Sequence, residues 1–239
     1  YGRISTYPVE NELRAWDMWC RKYVMLGLES FYEICKDELL KQDLLKGLCI
    51  HADYILSKIG PRSEGKLPIN ESAGDWQGLP ASSILEPMII LYRLTGYQRY
   101  LDFSTYIIEE GGTTSTDIFQ LAYENKLYPY QYVKDNAKAY EMSSCFEGLA
   151  EYALITGNEK WKTAVENYCL KVLESEITVA GSGGGDGPTY NTHSVAGGEQ
   201  WNNMAVEQTN PDNKHLQETC VTVTWFKLCR RVLFMTDNT

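Results

Sequence analysis

The stretch "LYRLTGYQRYL" at residues 91–101 and its counterpart "YALITGNEKW" at 152–161 decide the fold of the chain. Each ends a helical pattern, turns at Thr-Gly, and resumes with polar residues that are able to start another helix. On both sides of each turn, apolar residues recur at steps of three and four, which is typical of amphipathic helices. Each elbow therefore predicts one helical hairpin.

Similar elbows stand near both ends of the chain, as "FYEICKDELL" at 31–40 and "VLFMTDNT" at 232–239. The aligned elbow residues are Cys35, Thr95, Thr156 and Thr236, at spacings of 60, 61 and 80 residues. Self-similarity at a nearly fixed period indicates stacked supersecondary units. The pattern predicts about seven helices, arranged as three hairpins and one final helix. We therefore expect an all-α fold, an (α/α)6-toroid or six-hairpin-type helical barrel, of which residues 1–239 form one incomplete domain.

Local signals refine three helix boundaries. Ser83 and Glu86 have the spacing of a capping box and predict the start of a helix that closes on Gly96. Asn158 predicts the N-cap of the helix after the second elbow. Residues 219–225 alternate like a strand, but the apolar run continues too far for an ordinary strand, so a helix is expected there.

Composition narrows the class of partner. The net charge is −10 and no basic block is present, which argues against nucleic acid. No apolar stretch reaches the roughly 20 residues that span a bilayer, and "YGRISTYPVENELRAW" lacks the pattern of a signal peptide. Most of the 7 cysteines lie in apolar helical patterns and suggest buried thiols, while 17 tyrosines and 6 tryptophans suit flat ligands such as sugars. Neither membrane insertion nor a nucleic-acid partner is expected.

The third repeat interval is the longest because of a glycine-rich loop at residues 179–216. Within it, "AGGEQWNN" places Glu199 beside glycines and a tryptophan. A glycosidase needs a carboxylic acid to protonate the leaving oxygen, and burial beside an aromatic ring raises the pKa of such a group. Glu199 is therefore a candidate catalytic acid, with a solvated loop glutamate as the alternative.

Glu218 and Cys220 stand two residues apart at the start of the final apolar run. A thiolate and a carboxylate together suit Zn²⁺, and either His193 or His215 is able to add a ligand. The alternative is structural: a buried thiol, and a carboxylate favoured by the dipole of the helix. The spacing alone leaves both interpretations open.

Further candidates concern the binding of a substrate. Trp76 and Trp201 are candidate stacking platforms, with core packing as the alternative. Glu86, Glu141 and Glu147 lie on apolar-rich helices, where they either face a cavity or pair locally. The candidate substrate-binding residues are His193, Trp201, Trp76, Tyr140, Glu141 and Gln208.

Three stretches carry a family resemblance: "SSILEPMIILYRLTGYQRYLDF" (82–103), "AKAYEMSSCFEGLAEYALITGNEKW" (137–161) and "LQETCVTVTWFKLC" (216–229). Together they resemble the β-L-arabinofuranosidase-like glycoside hydrolases of family 127, over nearly the whole chain. The Glu-Thr-Cys segment is the most specific part. The resemblance implies an (α/α)6-barrel catalytic domain, zinc as cofactor, a carbohydrate substrate, and a retaining exo-glycosidase that uses a cysteine nucleophile.

Carried over by motif, the resemblance implies that Glu218 and Cys220 are zinc ligands and that Glu199 is the general acid/base. The family's remaining ligands, a cysteine pair that includes the nucleophile, are expected after Thr239, so this stretch alone is expected to be inactive. The sequence also leaves two other functions open. One is a carbohydrate-binding or scaffold toroid without catalysis, and the other is a polysaccharide lyase or uronyl hydrolase on the same fold.

Overall fold

The structure is a computed structural model that describes residues 2–72, 76–134, 136–185, 199–203, 205 and 217–236. Contacts within the chain divide it into two compact units, residues 1–114 and 115–239. Grouping both in a single toroid domain stays a prediction. None of the described helices is both long enough and apolar enough to cross a membrane.

Helical hairpins make up the first unit. Its helices are α1 (Asp17–Ile34), α2 (Glu38–Lys58), α3 (Leu79–Ser82), α4 (Leu85–Thr95) and α5 (Gln98–Glu109). Short 3-10 turns occur at Val9–Asn11, Arg62–Glu64, Ile69–Glu71 and Trp76–Gly78. Asp37 caps α2, because its carboxylate accepts hydrogen bonds from the backbone N–H groups of Leu39 and Leu40 at 3.0 and 3.1 Å. Gly96 ends α4 at φ 69°, a left-handed conformation that glycine adopts without strain.

The second unit repeats this design. Its helices are α6 (Ile118–Glu124), α7 (Pro129–Tyr132), α8 (Ala139–Thr156), α9 (Glu159–Ser175) and α10 (Thr219–Thr236). Gly157 ends α8 at φ 67°, and the Asn158 side chain accepts a hydrogen bond from Trp161 N–H at the start of α9. In the core between these helices, the rings of Phe146 and Tyr168 stack with centroids 3.7 Å apart.

Ion pairs between neighbouring hairpins show that their first helices run parallel. In the first unit Arg93 on α4 contacts Glu33 on α1, 60 residues earlier. Nearer the N-terminal ends of the same two helices, Lys22 lies 3.6 Å from Glu86. In the second unit Lys227 and Arg231 on α10 contact Glu147 and Glu151 on α8, each 80 residues earlier. These offsets equal the elbow spacings of 60 and 80. For these two intervals, the repeat spacing in the sequence matches the spacing of ion-paired residues on the two helices.

The expected all-α fold of the (α/α)6-toroid class is confirmed. Seven of the α-helices that the structure describes have 11 residues or more, and they form the three expected hairpins and the final helix. The capping box at Ser83 and Glu86 is wrong. Ser83 has helical dihedral angles and its hydroxyl donates to the carbonyl of Pro80 at 2.7 Å, so it does not cap α4.

Candidate active site

A buried group of charges lies at the N-terminal end of α8. The ammonium of Lys138, the residue before the helix, contacts a carboxylate oxygen of Glu199 and lies 3.7 Å from Oε1 of Glu141. Lys138 and Glu141 are each 4% exposed, whereas 31% of the Glu199 side chain is exposed. Of these two carboxyl groups, Glu199 is therefore the one that a ligand is able to reach.

Backbone pairing fixes Glu199 against the segment that enters α8. The N–H of Ala139 donates to the carbonyl of Glu199, and the N–H of Trp201 donates to the carbonyl of Ala137, both at 2.8 Å. The residue between Glu199 and Trp201 exchanges two more backbone hydrogen bonds with Gly185, at 2.7 and 2.8 Å. The loop thus presents its carboxyl group from a paired, strand-like backbone.

The start of α10 brings Glu218 and Cys220 to the same place. The half-buried thiol of Cys220 is hydrogen-bonded to the carboxylate of Glu218. Glu141 and Glu199 both interact electrostatically with this thiol. The predicted acid and the two predicted metal ligands therefore meet in one cluster. We call it the acidic cluster, and its members are Lys138, Glu141, Glu199, Glu218 and Cys220.

Within the acidic cluster, Glu141 has a raised pKa. Burial raises the pKa of Glu141 to about 7; Lys138 acts in the opposite direction, while Glu199 and Glu218 add to the increase. Its Oε2 is buried and accepts no hydrogen bond from the described part of the chain. A carboxyl group in such surroundings stays protonated well above its ordinary range.

Cys220 is also held in its protonated form. Burial, then the hydrogen bond to Glu218 and the negative charges around it, raise the pKa of Cys220 to about 12. A divalent cation would reverse this preference, because coordination deprotonates a thiol. Thiolate sulfur and carboxylate oxygen are donors that zinc accepts, so Glu218 and Cys220 fit two ligand positions. Across the described ranges, no group of three or more His, Cys, Asp or Glu side chains is arranged to hold a metal ion.

The structure places the two candidate stacking tryptophans in different units. Trp201 is 1% exposed, and its indole N–H donates to the hydroxyl of Tyr168 at 2.9 Å. This burial favours the core-packing alternative for Trp201. Trp76 lies in the first unit, half-buried, at a positive φ of 52° that is followed by another at Gln77. Strain of this kind is concentrated at functional sites, so Trp76 stays a candidate.

The remaining candidates for substrate contact divide between described and undescribed residues. Tyr140 is half-buried in the first turn of α8, next to Glu141. His193 and Gln208 lie outside the described residues, as does His215. Glu86 and Glu147 are buried and pair locally, Glu86 with Lys22 at 3.6 Å and Glu147 with Lys227 at 2.8 Å.

Sequence reasoning missed Lys138. Its signal was a basic residue immediately before an apolar-rich helix, where the positive end of the helix dipole disfavours a cation. A lysine in that position needs a compensating anion, and Glu141 three residues later supplies one. The second anion, Glu199, lies 61 residues away in the chain, so only the fold reveals it.

The fold and the site define a class of structure, an all-α domain of helical hairpins with an acidic, thiol-bearing cluster at helix N-termini. More particularly, the profile of the family described as "Beta-L-arabinofuranosidase, GH127 catalytic domain" matches residues 4–239. The chain therefore belongs to that family, and the resemblance read from its sequence is confirmed.

Two solved structures share this fold. A GH127 beta-L-arabinofuranosidase from Geobacillus stearothermophilus T6 is 18% identical, with a TM-score of 0.61 over 92% of this chain and 33% of its own. A second GH127 beta-arabinofuranosidase is 17% identical, with a TM-score of 0.62 over 92% of this chain and 31% of its own. The chain thus spans about a third of their length. Comparison with curated proteins gives no match.

Proposed function

We propose that the chain is the part of a glycoside hydrolase catalytic domain that supplies the general acid/base and two metal ligands. Membership of the GH127 family favours glycoside hydrolysis over a lyase or a purely sugar-binding role. The observation that carries the proposal is the acidic cluster, in which the accessible carboxyl of Glu199 lies beside Glu218 and Cys220. The substrate is a glycan, and arabinofuranosides are the first to test.

Each member of the cluster has a role in this proposal. Glu199 protonates the leaving oxygen and later accepts a proton from water, as the acid/base of a retaining exo-glycosidase does. Lys138 contacts Glu199 and would stabilise the carboxylate that forms once Glu199 has given up its proton. Glu218 and Cys220 would hold zinc, which when bound lowers the pKa of a nucleophilic thiol.

Substitution of Glu199 tests the acid role in the full-length protein. A nitrophenyl group leaves without protonation, whereas an alkyl alcohol requires it. Glu199→Gln is therefore expected to lower kcat/KM about 10²- to 10⁴-fold on an alkyl arabinofuranoside and much less on the nitrophenyl one. Glu159→Gln, at an exposed glutamate in the first turn of α9, is the matched control. Undiminished hydrolysis of the alkyl glycoside by Glu199→Gln would remove the acid role.

Glu141 is the second candidate for the proton donor, because its pKa of about 7 suits general acid catalysis at neutral pH. Its 4% exposure argues for a role behind Glu199 rather than in contact with substrate. The same pair of substrates separates the two: if Glu141 is the donor, Glu141→Gln and not Glu199→Gln shows the dependence on the leaving group.

Metal analysis distinguishes an enzyme of this type from a binding module. The full-length enzyme should contain stoichiometric zinc, and Cys220→Ser should lower the zinc content. A carbohydrate-binding toroid needs neither Glu218 nor Cys220, so its zinc content would be unaffected by that substitution.

A further inference from the structure

The loop that carries Glu199 is fastened by a second carboxylate, Glu176. This residue follows the last residue of α9 and is 0% exposed. One oxygen of Glu176 accepts the backbone N–H of Asn202, and the other accepts the backbone N–H of Asn203, each at 2.9 Å. Both carboxylate oxygens are therefore bound to the loop three and four residues beyond Glu199.

The backbone of the loop is shaped to receive this carboxylate. Asn203 has a φ of 57°, a left-handed conformation, which allows two successive N–H groups to converge on one anion. Hydrogen bonds from amides to an ionised carboxylate are stronger than bonds between neutral groups, and burial strengthens them further. The hydroxyl of Ser175 lies 3.4 Å from Oε1 of Glu176, but its proton is donated to the carbonyl of Lys171 at 2.8 Å. Glu176 thus acts as a buried clamp on the turn.

The segment that carries Glu199 is held by hydrogen bonds on two sides, and Glu176 provides those on the second side. On one side, residues 199 and 201 pair with the backbone that enters α8. On the other, Glu176 at the end of α9 holds the next two residues. Between them, the indole N–H of Trp201 donates to Tyr168, whose hydroxyl lies 3.1 Å from the hydroxyl of Ser143. The segment therefore has little freedom to move the carboxyl of Glu199.

We propose that Glu176 is a positioning residue: its carboxylate fixes the turn at Asn202 and Asn203 and thereby the direction in which Glu199 presents its carboxyl group. The inference rests on the proposed acid role of Glu199. Glu176 does not touch substrate, and it acts through the loop. Misplacement of a catalytic group by about 1 Å costs up to about 10²-fold in rate, so the clamp has a measurable effect.

The test is Glu176→Gln in the full-length protein, which keeps the shape of the side chain but leaves only one oxygen to accept two N–H groups. We expect kcat on an alkyl arabinofuranoside to fall about 10- to 10²-fold while KM changes little. Amide hydrogen exchange at residues 202 and 203 should become faster. Glu176→Asp, which keeps the charge on a shorter side chain, should give an intermediate loss and serves if the glutamine variant does not fold.

Glu151→Gln is the matched control, because it makes the same change at an equally buried glutamate of α8 that contacts Arg231. It is expected to lower stability without changing kcat or exchange at residues 202 and 203. The decisive comparison is the double variant of Glu176→Gln with Glu199→Gln, which should be no slower than Glu199→Gln alone. The positioning role would be overturned if Glu176→Gln slowed the Glu199→Gln enzyme by the same factor as it slows the wild type. Unchanged amide exchange at residues 202 and 203 in Glu176→Gln would overturn it as well. Full activity of Glu199→Gln would instead refute the acid role and, with it, the positioning role. Faster amide exchange in Glu176→Gln would then show only that Glu176 holds the turn.

Discussion

The N-terminal ends of α1 and α8 carry buried charges in different balance. At α1, Asp17 and Arg21 are both 0% exposed and paired at 3.0 Å. Glu12 binds Arg21 at 3.2 Å and Arg3 at 2.6 Å, so two acids face two guanidinium groups. At α8, the acidic cluster sets three carboxyl groups and a thiol against the one ammonium of Lys138. The first arrangement is neutralised from within, whereas the second contains more acidic groups than the one ammonium balances.

The pKa values follow the same division. At α1, burial acts to raise the pKa of Glu12, but hydrogen bonds from Tyr54 and Arg3 and the charge of Arg21 outweigh it and hold the pKa below its ordinary value. At α8, burial and neighbouring carboxylates raise the pKa of Glu141 to about 7 despite Lys138. Paired charges stabilise a fold, whereas an unbalanced group with a displaced pKa is the arrangement that acid/base chemistry uses. The balanced charges at α1 therefore fit a structural role, and the unbalanced charges at α8 fit the acid/base role that we propose.

The largest effect is expected from breaking the balanced arrangement. Arg21→Met leaves Asp17 as a buried charge without its guanidinium partner, which should lower the free energy of unfolding by about 3–5 kcal/mol. Urea denaturation measures the change, with Arg14→Met at an exposed arginine as the control. A loss no greater than that of the control would mean that the charges at α1 are not coupled as the geometry indicates.

A smaller effect on stability, which depends on pH, is expected from Glu141 in the acidic cluster. The pKa of Glu141 is about 7 in the folded protein against an ordinary value of 4.5. The folded state therefore keeps a proton that the unfolded state releases, so this contribution to stability is complete below about pH 4.5 and is lost as the pH rises through 7. The loss amounts to about 3 kcal/mol.

Glu141→Gln removes that titration. Denaturation of the zinc-free protein at pH 5 and pH 8 should show wild type losing stability relative to the variant as the pH rises. Glu159→Gln, at an exposed glutamate, should keep the wild-type pH dependence. Parallel stability curves for wild type and Glu141→Gln would show that the carboxyl is already ionised at pH 5.

The hairpins were predictable because the elbows depend on local chemistry. A few neighbouring residues are enough to predict the left-handed glycines at Gly96 and Gly157 and the N-cap at Asn158. The failure at Ser83 has a physical cause as well. The short helix α3 continues directly toward α4 through residues 83 and 84, both of which have helical dihedral angles, so no extended N-cap position exists.

The acidic cluster was only partly predictable. Glu199, Glu218 and Cys220 were found through chemistry and family resemblance. Their meeting depends on contacts that no local pattern encodes, such as the pairing of residues 137–139 with 199–201. The contacts of Lys138 and Glu176 were missed for the same reason. Each is an ordinary charged residue in sequence, and its partner lies 61 residues away for Lys138 and 26 residues away for Glu176.

The smallest effect on stability is expected from breaking the exposed ion pair between α1 and α4. The pair of Arg93 with Glu33 is 3.0 Å long, but its side chains are 44% and 56% exposed, so solvent screens the attraction. Arg93→Ala should therefore lower the free energy of unfolding by no more than about 0.5 kcal/mol, and salt should reduce even that difference.

The corresponding ion pair in the second unit serves as the comparison for Arg93→Ala. Lys227 contacts Glu147 across the corresponding helices, and there the carboxylate is 0% exposed. Lys227→Ala removes the cation from a buried acid, so it should cost clearly more than Arg93→Ala under the same conditions. If the two substitutions lowered the free energy of unfolding equally, burial of the carboxylate would not determine how much each ion pair contributes. The ion pairs would then mark the repeat register without contributing differently to stability.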